Sequence, residues 1–239
     1  MIEEGHVYDQ DFLRSQHNHE FLNNLAFQAA YARGVKAAGM DYQWHWRVYT
    51  GLWAAHCASK LQGDFVECGV AKGFMSSAVM TNLDWDSTGR MFYLLDTFSG
   101  VDERYVTAVE LEQGVLEKNR HLIEMGLYPT TADAVVENFT EWKNVKIIVG
   151  AIPETLNQIK STAVAYLHID MNCAPPEVAA ITHLWDRLVP GAMILLDDYA
   201  YFGYRQQKLA MDAFAATKKV AVLSLPTGQG LMIKPPSSD

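Results

Sequence analysis

The chain has 239 residues, 49% of them hydrophobic and 20% charged, with a net charge of -9 at pH 7. That length and apolar content suit one generous α/β domain with a helical appendage, and the ordinary charge fraction excludes a disordered chain. The acidic balance removes the basic footprint that nucleic acid or an anionic membrane surface requires. Cys57, Cys68 and Cys173 are far apart and form no CxxC pair, so they read as buried thiols in a reducing compartment. The opening residues, with Glu3, Glu4, His6 and Asp9, lack a basic-then-apolar signal pattern. No apolar run reaches membrane length, and a cytoplasmic location is expected.

Residues 1–60 carry helical periodicity without a convincing strand and are expected to form an N-terminal helical cap on a core of residues 61–239. From Gly63 onward, short apolar runs alternate with longer amphipathic stretches, as in a parallel sheet with helical crossovers. Residues 64–68 make the first strand, followed beyond Gly69 and Gly73 by a helix through Met80. Residues 91–95 make the second, ending on Asp96. A long helix is expected over 105–125 and a shorter one over 132–139. Residues 145–149 form the third strand, ending on Gly150, with Pro153 in the first turn of a following helix. The fourth, 164–169, ends on Asp170. Val178, Ile181, Leu184, Trp185 and Leu188 share a helical stripe that Pro190-Gly191 stops. Residues 192–196 form the fifth strand, ending on Asp197 and Asp198. A helix over 205–217 precedes two strands, 220–225 and 231–234, whose short link 226–230 can only make a hairpin. The tail from Pro235 to Ser238 reads as frayed. The expected fold is α/β and Rossmann-like: a mostly parallel seven-stranded sheet with a C-terminal antiparallel hairpin and N-terminal helices, in the order of a class I methyltransferase.

Ligands of open α/β sheets bind beyond the carboxyl ends of the strands. Those ends carry Glu67, Asp96, Gly150, Asp170, Asp197 and Asp198. Carboxylates gathered on one edge repel one another unless cations compensate them. The sulfonium and ammonium of S-adenosylmethionine, with a divalent ion, would do so. Glu67-Cys68-Gly69-Val70-Ala71-Lys72-Gly73 is an acidic turn from strand to helix in which glycine permits close approach to a cofactor, and it lacks the GxGxxG spacing of pyrophosphate-binding turns. Asp96 is placed to accept from both ribose hydroxyls of an adenosine. Asp170, Asp197 and Asp198 end adjacent strands, and three carboxylates without Cys or clustered His suit a hard ion such as magnesium.

Taken together, the segments Gly63-Asp64-Phe65-Val66-Glu67-Cys68-Gly69-Val70, Leu94-Leu95-Asp96-Thr97-Phe98, Leu167-His168-Ile169-Asp170-Met171, Leu184-Trp185-Asp186-Arg187-Leu188-Val189-Pro190-Gly191 and Leu195-Leu196-Asp197-Asp198-Tyr199 resemble the metal-dependent sugar O-methyltransferases of the macrocin and novobiocin pathways. The resemblance spans residues 63–199. It implies that Glu67, Gly69 and Asp96, with the neighbouring Cys68, Val70, Gly73, Thr97, Phe98 and Gly150, hold the cofactor. It also implies that Asp170, Asp197 and Asp198 bind magnesium. Where many members carry a second Asp, the proposed general base, this chain has Asn172, which can orient a hydroxyl but not take its proton. Cys173-Ala174-Pro175-Pro176 departs from the family's usual Leu-Tyr.

The chemistry implied is transfer of a methyl group to a hydroxyl, on a sugar of a natural product or glycan. The acceptor's proton would leave to Asp170 or Asp198, or to His168, which shares a strand face with Asp170. Tyr42, Trp44, Trp46, Tyr49 and Trp53, with His45 and His56, either line an acceptor pocket or pack the N-terminal helices. Residues 101–128 form either a lid or an ordinary solvated helix. The competing readings are a nucleotide-sugar or NAD-utilising α/β enzyme, and a catalytically weakened methyltransferase-fold binding protein. The partner is a small hydroxylated molecule, neither nucleic acid nor membrane, and a homodimer is the default assembly.

Overall fold

A computed structural model describes residues 6–236, so Glu3, Glu4, Ser237 and Ser238 lie outside the described residues. A hairpin of β1 (Tyr8–Gln10) and β2 (Leu13–Ser15) opens the chain, turning through Asp11 and Phe12, both at positive φ. No strand was expected before residue 60, because three-residue strands are too short to show a period of two. Helix α1 (Leu25–Ala38) starts where Asn24 Oδ1 accepts from the amides of Ala26 (2.9 Å) and Phe27 (3.1 Å). It is followed by α2 (His45–Ala58), β3 (Asp64–Cys68), α3 (Phe74–Asn82) and β4 (Phe92–Asp96).

The single helix expected over 105–125 is instead a 3-10 turn at Glu103–Tyr105, α4 (Ala108–Glu112) and α5 (Val115–Glu124). Thr107 and Glu110 form a capping box that starts α4, and Gly114, at φ 75°, separates the two helices. After α6 (Asp133–Asn138) and β5 (Val145–Val149), no helix forms around Pro153; the Ile152–Pro153 peptide is cis and only a 3-10 turn follows at Leu156–Gln158. Buried Ile152, Leu156 and Ile159 pin this connector to the sheet. Next come β6 (Val164–Ile169), α7 (Ala174–Leu184) and β7 (Leu188–Leu196). Pro190 and Gly191 lie inside β7 rather than stopping a helix, which ends at Leu184 and a 3-10 turn. Helix α8 (Arg205–Lys218), β8 (Leu223–Ser224) and β9 (Gly230–Ile233) complete the chain.

The sheet runs β5-β4-β3-β6-β7-β9-β8, with β9 antiparallel to both neighbours. Successive crossovers leave β3 in opposite directions, so the switch point lies between β3 and β6, where open α/β sheets bind ligands. Alternate strand residues supply two cores. Phe65, Phe92, Leu94, Tyr166 and Leu195 pack with α1, α2 and α3, whereas Val66, Leu95, Leu167, Ile194 and Met232 pack with α7 and α8. The N-terminal helices thus share the main core: α1 lies on α3, and α2 lies across β7. No described helix is long and apolar enough to cross a membrane.

At Gly69, φ is 90°, and a Cβ there would sit 1.7 Å from the Asp170 carbonyl oxygen. The glycine is therefore required for the end of β3 to pass the end of β6. Gly39, at φ 75° with open space around it, needs only backbone freedom. In urea denaturation, Gly69→Ala is expected to cost about 3 kcal/mol or more, against about 1 kcal/mol for Gly39→Ala.

Candidate active site

Register places Glu67 beside His168 on neighbouring strands, their side chains on one face. His168 Nδ1 lies 2.7 Å from Glu67 Oε1, and Nε2 lies 3.5 Å from Asp197 Oδ1, all of them buried. Burial opposes a charge on the ring, but Asp197 and Glu67 outweigh it and push its pKa up to about 10. His168 is therefore an imidazolium at neutral pH. Two carboxylates that favour the protonated ring work against His168 as the base expected at this position.

Asp197 is the most heavily bonded group of the site. Its Oδ2 accepts from Arg47 Nη2, and its Oδ1 accepts from Gln229 Nε2 at 2.8 Å and faces His168. Burial pushes the carboxyl up, yet Arg47, His168 and Gln229 hold it below the usual carboxylate range. Asp198 meets the same guanidinium nitrogen at 3.3 Å. Burial raises its pKa to about 6 against the pull of Arg47. Asp170 receives only a 3.3 Å hydrogen bond from Asn172 Nδ2. Burial, then Asp197 and Asp198, push it well above the ordinary value, with His168 and Arg47 opposing. Asn172 itself sits at φ 58°.

The crowded carboxylates are thus balanced in large part from within, by Arg47 on α2 and by His168. This arrangement does not fit the expected magnesium clamp of Asp170, Asp197 and Asp198. Both Asp197 oxygens already carry a hydrogen bond, and a guanidinium lies between Asp197 and Asp198. Among the described residues no group of three or more His, Cys, Asp or Glu is gathered to hold a metal ion.

Asp96, at the end of β4, accepts at Oδ2 from the amides of Val70 (2.7 Å) and Ala71 (2.8 Å). Its Oδ1 accepts from the Phe98 amide (2.7 Å) and lies 3.4 Å from Thr97 Oγ1. Three backbone amides hold the carboxylate, while the Thr97 hydroxyl places its one proton on the Gly100 carbonyl oxygen at 2.6 Å. Asp96 therefore ties the glycine turn to β4 and keeps an acceptor site that could take a ribose hydroxyl.

Two adjoining cavities open at this edge. Gly69, Asp96, Thr97 and Gly150 line the first, with Val101, Tyr105 and Pro129. Glu67, Gly69, Val70, Arg47, His168, Asp197 and Asp198 line the second, with Tyr42, Trp44, Lys118, Tyr201 and Tyr204. Gly69, Ala71, Tyr128, Asp170 and Asn172 belong to both. Cys68, Gly73 and Phe98 line neither. Cys68 and Phe98 are buried in the cores, and a Cβ on Gly73 would meet the Phe139 ring at 2.6 Å.

Residues 101–129 cover both cavities. Lys118 is exposed and places its Nζ 3.6 Å from the Tyr204 ring centroid. Buried Glu110 joins this cover to the loop after β6 by accepting from the Ala174 amide at 2.8 Å. The N-terminal aromatics divide. Tyr42 and Trp44 face the second cavity, while Trp46 and Tyr49 pack around Phe21. Sequence reasoning missed Arg47, Gln229, Lys118, Tyr128, Tyr201 and Tyr204. Arg47 alone left a signal: it lies at helical spacing with Gly51, Ala54, Ala55 and Ala58, a charge on an otherwise small, apolar face.

Solved structures share this fold. The O-methyltransferase NovP matches with a TM-score of 0.70 at 15% identity, over 91% of this chain and 100% of that one. The calicheamicin methyltransferase CalS11 matches at 0.63 and 14% identity, over 90% of this chain and 84% of that one. At such identities the likeness defines the class of fold, that of class I methyltransferases. Residues 52–223 match the macrocin-O-methyltransferase (TylF) family, and the chain belongs to that family. A curated relative from Streptomyces olivaceus, 8-demethyl-8-(2,3-dimethoxy-alpha-L-rhamnosyl)-tetracenomycin-C 4'-O-methyltransferase, is 28% identical over 153 residues, which is 60% of this chain. The match spans 55% of that relative's length.

Because the folded His168 pKa lies above the unfolded one, its contribution is complete below about pH 6.5. The contribution is lost as pH rises through about 10. Denaturation of wild type and His168→Gln is expected to differ by about 3 kcal/mol at the acid end of that window and to converge at the alkaline end.

Proposed function

We propose that this protein is an S-adenosylmethionine-dependent O-methyltransferase that methylates a hydroxyl on a sugar of a natural product or glycan. Membership of the macrocin O-methyltransferase family and the sugar-directed name of the curated relative support this reading. The observation that carries it is the meeting of two cavities at Asp170, a half-buried carboxyl raised in basicity and lining both.

The first cavity suits the cofactor. Its walls come from the ends of β3, β4 and β5, and Leu95, Val101, Ile152 and Met171 supply apolar surface for an adenine. The cofactor brings a methyl group on a sulfonium, and its transfer to oxygen leaves a neutral thioether. The second cavity suits the acceptor: the rings of Tyr42, Trp44, Tyr201 and Tyr204 offer faces on which a sugar's C–H surface packs.

An alcohol is a poor nucleophile while protonated, so the protein must receive its proton as the oxygen–carbon bond forms. Asp170 fills that role. It sits at the junction, carries a hydrogen bond from Asn172 that orients its Oδ1, and has a proton affinity raised well above that of an ordinary carboxyl, which favours it as a proton acceptor. Asn172 is then an orienting group rather than a base. Residues 101–129 close over the junction and keep bulk water from competing for the methyl group.

Calorimetric titration is expected to show saturable binding of S-adenosylmethionine, and none of NAD or a nucleotide sugar. Preference for either control would sink the proposal. Asp170→Asn is expected to keep cofactor binding while lowering kcat by about 10²–10⁴-fold, read as methylated sugar by mass spectrometry.

A further inference from the structure

Arg47 is out of place by every rule of helix packing. It is 4% exposed, on a helix face otherwise made of Val48, Gly51, Leu52, Ala54, Ala55 and Ala58. A buried charge is kept only against fixed partners. Its Nη2 bonds the Asp197 carboxylate, lies 3.2 Å from the Asp197 carbonyl oxygen, and lies 3.3 Å from Asp198 Oδ1. The guanidinium carbon lies 4.5 Å from the Tyr201 ring centroid and 5.2 Å from that of Trp44. These contacts hold the group in one position, whereas its Nε is buried without a partner and the side chain lines the acceptor cavity.

A hard divalent ion needs several oxygens at about 2.0–2.6 Å. Asp197 is poorly free to give them: its Oδ1 accepts from Gln229 and faces His168 at 3.5 Å, and its Oδ2 is held by the fixed Arg47 guanidinium. An ion between Asp197 and Asp198 would also have to share that space with a fixed cation. Arginine keeps its charge at any working pH and donates through five N–H groups in a rigid fork.

We propose that Arg47 takes the place of the divalent cation in this protein: it neutralises Asp197 and Asp198, excludes a metal ion from between them, and donates a hydrogen bond to the acceptor oxygen. The catalytic part of this inference rests on the methyltransferase reading. In the transfer step the acceptor oxygen forms its bond to the methyl carbon and the carbon–sulfur pair returns to sulfur. The hydroxyl proton passes to Asp170. Arg47 gives up no proton; its N–H groups stabilise the negative charge that grows on oxygen as that proton departs.

The test uses the full-length chain and Mn2+ alone, followed by electron paramagnetic resonance, with no acceptor required. Wild type is expected to show no saturable binding at millimolar Mn2+, and Arg47→Lys to behave like it. Arg47→Met is expected to gain a saturable site that Asp198→Asn in the same background removes. Saturable binding to wild type that is lost on Asp198→Asn overturns the proposal, as does a folded Arg47→Met chain that binds no Mn2+. If Arg47→Met does not fold, the wild-type titration decides alone. With S-adenosylmethionine and a sugar acceptor, turnover is expected to be unchanged by EDTA, and loss of turnover that Mg2+ restores overturns it. Absence of turnover on any acceptor counts against the methyltransferase reading only, because the Mn2+ titration stands without it.

Discussion

Four buried charges in alternation, Glu67, His168, Asp197 and Arg47, cross the ends of β3, β6 and β7 and reach α2. Each is expensive to bury alone and tolerable only beside the next. Glu67 and Asp197 hold the proton on His168; His168 and Arg47 keep Asp197 ionised. The same row ties the N-terminal helices to the sheet, since Arg47 belongs to α2 and its partners to β6 and β7. Asp170 lies beside this row but outside its pairing, which is why burial and two neighbouring carboxylates can raise its proton affinity so far.

A second set of contacts makes the loops around the site depend on one another. Asp96 gathers the amides of Val70, Ala71 and Phe98, so the turn after β3 and the turn after β4 share one anchor. Glu110 accepts from Thr107 and from Ala174, and Glu177 accepts from the Met171 amide at 3.3 Å. The cover over both cavities is thereby coupled to the loop that carries Asp170 and Asn172.

The departure from the family pattern at Asn172 gains a physical setting here. With Asn172 at positive φ and its amide on Asp170 Oδ1, the loop presents one carboxyl to the junction rather than two. A second carboxylate beside Asp170, Asp197 and Asp198 would need another counter-charge, and Arg47 and His168 are already committed. A neutral amide at this position is consistent with a site whose cations are built in.

The sequence by itself determined the sheet, its order and the edge where the site lies. Short apolar runs at 64–68, 145–149 and 164–169, each followed by Gly or an acidic residue, are local signals that tertiary packing reinforces. The convergence of Asp170 with Asp197 and Asp198 followed from the strand order alone. Other features were not legible. The hairpin at residues 8–15 is too short for periodicity, and the break at Gly114 looks like any helical glycine. A partner 150 residues away leaves no pattern in one sequence: Arg47 appears there as one basic residue among aromatics, and Gln229 as part of a turn. Whether a cluster of carboxylates is neutralised by an ion or by a side chain depends on which distant groups the fold brings within hydrogen-bonding reach. Only the packing of α2 across β7 decided that, because charge compensation is a property of three-dimensional neighbours rather than of sequence position.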